Sequence, residues 1–328
     1  MAHEIDTTKG YAAMAYMGET PWHGLGQSME AGQSIEKWLV AAGMNFNINA
    51  TDVMYKTSAD NVYALSKVAG KKVLFRSDTG SALSVVSNDY QVVQPQEVLE
   101  FYRDLTEQAG FNLETAGVLR DGKKYWALAN MGEEAKILDD TIKGYLLLGT
   151  SCDGSMATTA MFTSVRVVCN NTLGFAMQEA DSGKAQKVVR TNHRAKFNAD
   201  DIKAQLGIAA TSWQAFTKMV GIWASTPVTE DQAKKYFDQI ATYKAADGVE
   251  TISPRTSSSL MTLYSQSGIG RSLEAADGTA WGLVNAVTEF VDHRRGRSND
   301  VRMDRAWFGD GIATKNKAVD LVNELIAA

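Results

Sequence analysis

A chain of 328 residues with 45% hydrophobic and 22% charged side chains can build one large core or two domains, and is too apolar for a disordered polypeptide. Its net charge of −5 argues against coating duplex DNA by bulk attraction, because phosphate neutralisation needs clustered cations. Its apolar runs, such as 145–148 and 222–224, are far shorter than the roughly 20 residues that cross a bilayer, so no membrane association is expected.

The first residues, MAHEIDTTKGYAAMAY, carry acids in place of the basic and then apolar order of an export signal, which implies a cytoplasmic protein. Residues 1–50 read as an N-terminal arm: a glycine-punctuated lead with PWHGLG at 21–26, then a short helix over 34–42 capped by Ser34. Trp22 and His23 in that lead suit core packing or docking on a neighbouring subunit better than base stacking.

From Val53 the period becomes two. Strands are expected at 62–67, 73–76 and 82–86, separated by Gly70-Lys71 and by a turn at 78–80, with helical spacing from Pro95 to Ala109. The strand-strand-strand-helix order then recurs. A hairpin of 111–119 and 123–130 turns at Asp121-Gly122, strands follow at 144–150 and 156–168, and an amphipathic helix is expected near 172–180. This makes an α+β core domain over 51–198, an antiparallel sheet with helices on one face.

From Ala199 the spacing is helical to the end, giving a helical domain over 199–328. Ile202, Leu206, Ala209, Trp213, Phe216, Val220 and Trp223 form one apolar stripe, and Thr229 caps the next helix. Further helices are expected at 255–267, 279–292 and 315–327, with looser linkers at 245–254 and 268–278.

Signals for catalysis are weak. Ser151, Cys152, Asp153 and Ser155 lack a GxSxG elbow and a partner histidine, and Asp153-Gly154 reads as a turn. Gly24-Leu25-Gly26 has no GK[ST] after it, and no nucleotide-binding signature is present. Asp121, Asp153 and Asp292 could supply carboxylates, yet local spacing brings no two of them together. The four histidines, His3, His23, His193 and His293, have no metal-ligand spacing, and Cys152 and Cys169 read as reduced structural thiols. Neither a catalytic set, a metal nor a cofactor is expected.

Polar side chains suited to nucleic acid do recur. Arg166 ends a strand, and Asn170 and Asn171 follow at the strand-to-helix junction, where each alone can cap the helix and together they can offer amides to sugar or base edges. Arg190, Asn192, His193 and Arg194 add cations and donors. Lys123, Lys124, Tyr125 and Trp126 form a hairpin strand in which one ring should face the core and the other an open sheet face beside the lysines. Between 184 and 203 six basic residues stand against two acidic ones, an excess of four; between 294 and 305 five stand against two, an excess of three.

PWHGLG, VSNDYQVVQPQEVLEFYRDL, GVLRDGKKYWALANM, TSCDGSMATTAMFTSVRVVCNNTL and RTNHR together resemble the phage/plasmid-like protein family, a domain of unknown function, over residues 10–325. The resemblance implies a mobile genetic element as the source and no known reaction. The element order is also similar, by topology alone, to single-strand annealing proteins that hold a DNA strand in a basic groove. The leading expectation is therefore a homo-oligomeric single-stranded DNA-binding or annealing protein acting in recombination or replication. A protein that targets a host defence or replication factor is the alternative, and an enzyme the third.

Overall fold

The structure is a computed structural model describing all residues except 1–4, 19–20, 22–23, 60–61, 109, 167–170, 175–187, 207–208, 246, 296–309 and 328. The chain forms two compact units. The first contains Met1–Met131, Leu146–Met161 and Val188–Gly207; the second contains Gly132–Tyr145, Phe162–Lys187 and Ile208–Ala328.

In chain order come β1 (Met14–Met17), β2 (Gln27–Met29), α1 (Ile35–Ala41), β3 (Ile48–Ala59), β4 (Val62–Arg76), β5 (Ala82–Ser87), α2 (Pro95–Glu100) and α3 (Arg103–Gln108). Next are β6 (Asn112–Leu119), β7 (Lys124–Ile137), β8 (Asp140–Ser151), β9 (Thr158–Arg166), β10 (Asn171–Gly174) and β11 (Val188–Thr191). Helices α4 (Ala199–Leu206), α5 (Ala209–Ala224) and α6 (Glu230–Ile240) follow, and a small hairpin of β12 (Thr242–Lys244) and β13 (Glu250–Ile252) precedes α7 (Pro254–Thr262), α8 (Ala280–Glu289) and α9 (Asp310–Ala327).

The fold is α+β. The large sheet has the order β10-β9-β8-β7-β6-β1-β2, with β11 also on β9. The pairs β1-β6, β6-β7, β9-β10 and β9-β11 are antiparallel, but β1 and β2 run parallel, so the sheet is mixed. The lead expected to be an arm thus contributes two strands, and Ile5 bridges Leu119. The three-strand-then-helix order holds once, for β3-β4-β5 and α2-α3. Its second occurrence does not hold: Asn171–Gly174 is a strand paired antiparallel with Thr163–Arg166, where a helix over 172–180 was expected, and residues 175–180 lie outside the described residues.

In the first unit, α2 starts with Pro95 at its first turn and a reciprocal cap between Gln94 and Glu97. The helix region holds Tyr102, fully buried, with its hydroxyl 2.8 Å from Ala127 O and 3.0 Å from Leu146 O. At the end of β4 lies a buried ion network. Arg76, with no exposed surface, meets Asp6 at 2.5 Å and Asp78 at 2.9 Å and reaches Asp121 O at 3.2 Å. The turn between β6 and β7 passes close by, with φ of 52° at Arg120, 56° at Asp121 and 103° at Gly122. A Cβ on Gly122 would stand 2.9 Å from Arg76 Cδ, so glycine is required there on two grounds.

In the second unit every residue of α8 is buried. Thr279 caps that helix, Trp281 Nε1 donates to Asp140 Oδ2 at 2.9 Å, and the rings of Trp223 and Trp281 stack with centroids 6.1 Å apart. Tyr236 Oη donates to Ala318 O at 2.9 Å, tying α6 to α9. Thr229 caps α6, as its position before an acidic turn suggested. The single long stripe from Ile202 to Trp223 is divided into α4 and α5.

Candidate nucleic-acid interface

The expected interface residues divide between the two units. Lys123, Lys124, Tyr125, Trp126, Arg190, Asn192, His193 and Arg194 belong to the first, whereas Arg166 and Asn171 belong to the second. Arg166 and Asn171 are backbone partners at the end of the β9-β10 pair. Asn171 therefore lies within a strand and not at a strand-to-helix junction. Asn170 is outside the described residues, as are Trp22, His23 and Cys169.

The aromatic platform expected on the hairpin is not formed. Tyr125 and Trp126 are both buried, at 1% and 0% exposure, and Lys124 is buried with them. Strand β7 is covered on both faces over Lys124–Ala129, so alternation no longer separates core from solvent. The reason for Trp126 is local. Its strand partner is Gly117, and a Cβ there would come within 2.5 Å of the indole, so the bare glycine makes room for the ring. Tyr125 donates its hydroxyl to Val93 O.

His193 is buried too and acts as an anchor. Its Nδ1 lies 3.1 Å from Gln91 O and its Nε2 3.0 Å from Met156 O, while Gln91 N donates to His193 O at 2.7 Å. The ring of Tyr90 stacks on the imidazole, and Tyr90 Oη donates to Ser151 O at 3.0 Å. Asn192 Oδ1 accepts from Arg194 N at 3.0 Å, forming a side-chain turn that fixes the loop further. The outcome is a pinned loop with exposed Arg190, Asn192 and Arg194 on and after the edge strand β11.

A second loop joins it. Residues 151–156 supply the carbonyl for His193, and Cys152 N donates to Lys123 O at 2.8 Å. The Lys123 turn, the 151–156 loop and the 192–195 loop are thus linked by hydrogen bonds within the first unit. Lys123 is half-buried. Although burial alone would raise it, hydrogen bonds from Ser155 and Ser151 hold the Asp153 carboxyl below its ordinary value.

The 151–156 loop is a polar turn with no activated nucleophile. Ser151 Oγ donates to Met156 O, Ser155 Oγ to Asp153 Oδ1, and burial with Asp153 alongside pushes the Cys152 thiol up to about 12. Asp292, the third carboxylate considered from sequence, is buried against Lys315 at 2.5 Å in the other unit. Among the described residues no cluster of His, Cys, Asp and Glu could hold a metal ion, and no helix is long and apolar enough to cross a membrane.

The cationic excess counted along 184–203 is reduced in three dimensions. Lys203 pairs with Asp104 at 2.6 Å, and Lys196 lines a cavity together with Glu97, Glu100, Asp104, Asp200 and Asp201. Carboxylates of α2 and α3, remote in sequence, face the basic segment. Arg190 and Arg194 lie outside that acidic cavity.

A family model described as a domain of unknown function (DUF932) matches residues 82–307, more than half of the chain. The chain belongs to this family. The DUF932 match takes in the Lys123 turn, the 151–156 loop and the pinned loop at His193, and it begins after PWHGLG. No curated protein and no solved structure matches the chain.

Proposed function

We propose that this DUF932 protein binds single-stranded nucleic acid, as a cytoplasmic, homo-oligomeric protein of a phage or other mobile element that acts in recombination or replication. The observation that carries the reading is the pinned loop. Arg190 and Arg194 are exposed on a segment whose backbone is held by His193, Tyr90 and an Asn192 turn, so the backbone that carries two guanidiniums needs little further ordering on binding. Lys123 and the amide nitrogen of Asn192 add donors on the joined loops. With Tyr125 and Trp126 buried, base stacking on the hairpin has no part, and recognition falls on the sugar-phosphate backbone. Such binding is indifferent to sequence and weakens steeply with salt.

The test is a fluorescence-polarisation titration of a roughly 30-base oligonucleotide at low salt. Saturable uptake is expected, with a loss of about tenfold in the Arg190→Glu/Arg194→Glu double variant and a shallower salt slope. No uptake at low salt rejects the reading.

One feature favours a protein partner as a second reading. The outer part of the β3-β4 ribbon, from Met54 and Lys67 outward, has no third strand among the described residues, and Met54, Tyr55 and Leu65 are 47%, 50% and 68% exposed. Two-stranded ribbons are marginal alone in water. Pull-down from host lysate with and without Tyr55→Ser/Leu65→Ser separates this reading from the first.

A further inference from the structure

We propose that the second unit contains a binding site for an organic phosphate of nucleotide size, in a cavity between α7 and the turn that closes α8. The cavity measures about 650 Å³, within the range of small-molecule sites. Its polar lining includes Arg255, Ser258, Ser259 and Thr262 of α7, and Arg294 and Arg295 beyond α8.

Charge is the first argument. Among the described residues three guanidiniums line the cavity and no carboxylate does. Arg255 has no hydrogen-bond or ion-pair partner for its guanidinium among the described residues. Arg294 reaches Glu289 only at 3.4 Å, and Glu289 is itself buried and already accepts from Ile269 N at 2.8 Å. Arg295 is engaged by Asp310 at 3.0 Å and by Thr314 at 2.8 Å, so it is the most fixed of the three. Guanidiniums gathered in one concavity with their nearest acids outside it suit a compact, multiply charged anion.

Hydroxyl groups complete the donor set. Ser258 and Ser267 have no side-chain partner among the described residues and both line the cavity. Ser259 and Thr262 donate to the carbonyls of Arg255 and Ser258, at 2.8 and 2.9 Å, and a rotation about χ1 redirects either toward an oxyanion.

Backbone geometry is the third argument. Both α7 and α8 end in a π-turn, over Leu263–Ser267 and Phe290–Arg294, closed by Gly268 N to Leu263 O at 3.0 Å and Arg295 N to Phe290 O at 2.7 Å. These wide turns are uncommon and concentrate at functional sites. Both contribute to the cavity wall, and they place Leu263 and Phe290 there as apolar surface beside the arginines. An anion with an attached ring or sugar fits this mixture better than a bare ion. No phosphate loop is needed, which is why no sequence motif marks the site.

The site is separate from the pinned loop and does not rest on the nucleic-acid reading. The test is a fluorescence-anisotropy titration of the full chain with a fluorescent nucleoside triphosphate, with pyrophosphate and inorganic phosphate as competitors. Saturation below ~1 mM is expected, with displacement by pyrophosphate, a loss of about tenfold in Arg255→Ala and in Arg294→Ala, and no change in Arg190→Glu/Arg194→Glu. Ser258→Asp, which places a carboxylate in the cavity without removing an arginine, should weaken binding alike, and thermal melts check that each variant is folded. No saturation, or binding unaffected by all three cavity variants, overturns the proposal. Loss in the Arg190→Glu/Arg194→Glu variant together with displacement by the oligonucleotide also overturns it, because the nucleotide would then be reporting the polymer site.

Discussion

The ring of Tyr90 lies on the imidazole of His193 with centroids 4.5 Å apart and planes 16° from parallel, and this contact holds the loop that carries Arg194. His193→Ala removes the stack and both contacts to backbone carbonyls. Denaturant unfolding should show a loss of about 2 kcal/mol, and oligonucleotide affinity should fall although no cation has been removed. Unchanged affinity in a destabilised variant would mean that the loop needs no anchor.

Arg76 and Asp6 form a buried pair whose side chains are each 1% exposed. Asp6→Ala takes one of two carboxylates from the buried guanidinium and should cost about 3–5 kcal/mol by chemical denaturation. A milder loss would show that Asp78 and the carbonyl of Asp121 suffice.

The same network sets an acid limit. Burial alone would raise the Asp78 carboxyl, but hydrogen bonds from Arg76 and Lys9 outweigh it and hold the group at about 2, below its ordinary 3.8. The folded state then binds its proton more weakly than the unfolded chain. This contribution is fully present above pH 3.8 and is lost as pH falls toward about 2. Thermal melts from pH 5 to pH 2 should show a fall over that window that is smaller in Asp78→Asn.

Cys152 should be inert in the native protein. Its thiol is fully buried and pushed up to about 12, so almost none is thiolate at neutral pH. Peptide-level mass spectrometry after maleimide treatment should find the Cys152 peptide unlabelled in buffer and labelled in denaturant. Rapid native labelling would contradict the burial.

Gly117→Ala tests the seat of Trp126. The added Cβ would lie 2.5 Å from the indole and 2.8 Å from Ala13 O, so about 1–3 kcal/mol of stability should be lost by overpacking. A neutral result would mean that the indole can shift.

Local signals were legible where the chain decides its own structure. The cap at Thr229 and the strands flanking residues 120–122 follow from neighbouring residues. Three features depend on distant partners and were not. Asn171–Gly174 becomes a strand because β9 offers an edge. Tyr125 and Trp126 are both buried because β7 is covered on each side, which erases the alternation that distinguishes faces. Lys196 and Lys203 meet acids about 100 residues upstream, so a charge count along the chain overstated the cationic surface. For the site, Arg190 and Arg194 could be named from sequence, but the anchoring role of His193 could not, since Tyr90 and Met156 come from other segments.

Strands β7, β8 and β9 each begin in one compact unit and end in the other, and the polypeptide passes between the units five times. No single cut can therefore liberate either half as an independent module, and truncation at residue 198 would divide the first unit's own last segment, Val188–Gly207, and remove α4 from it.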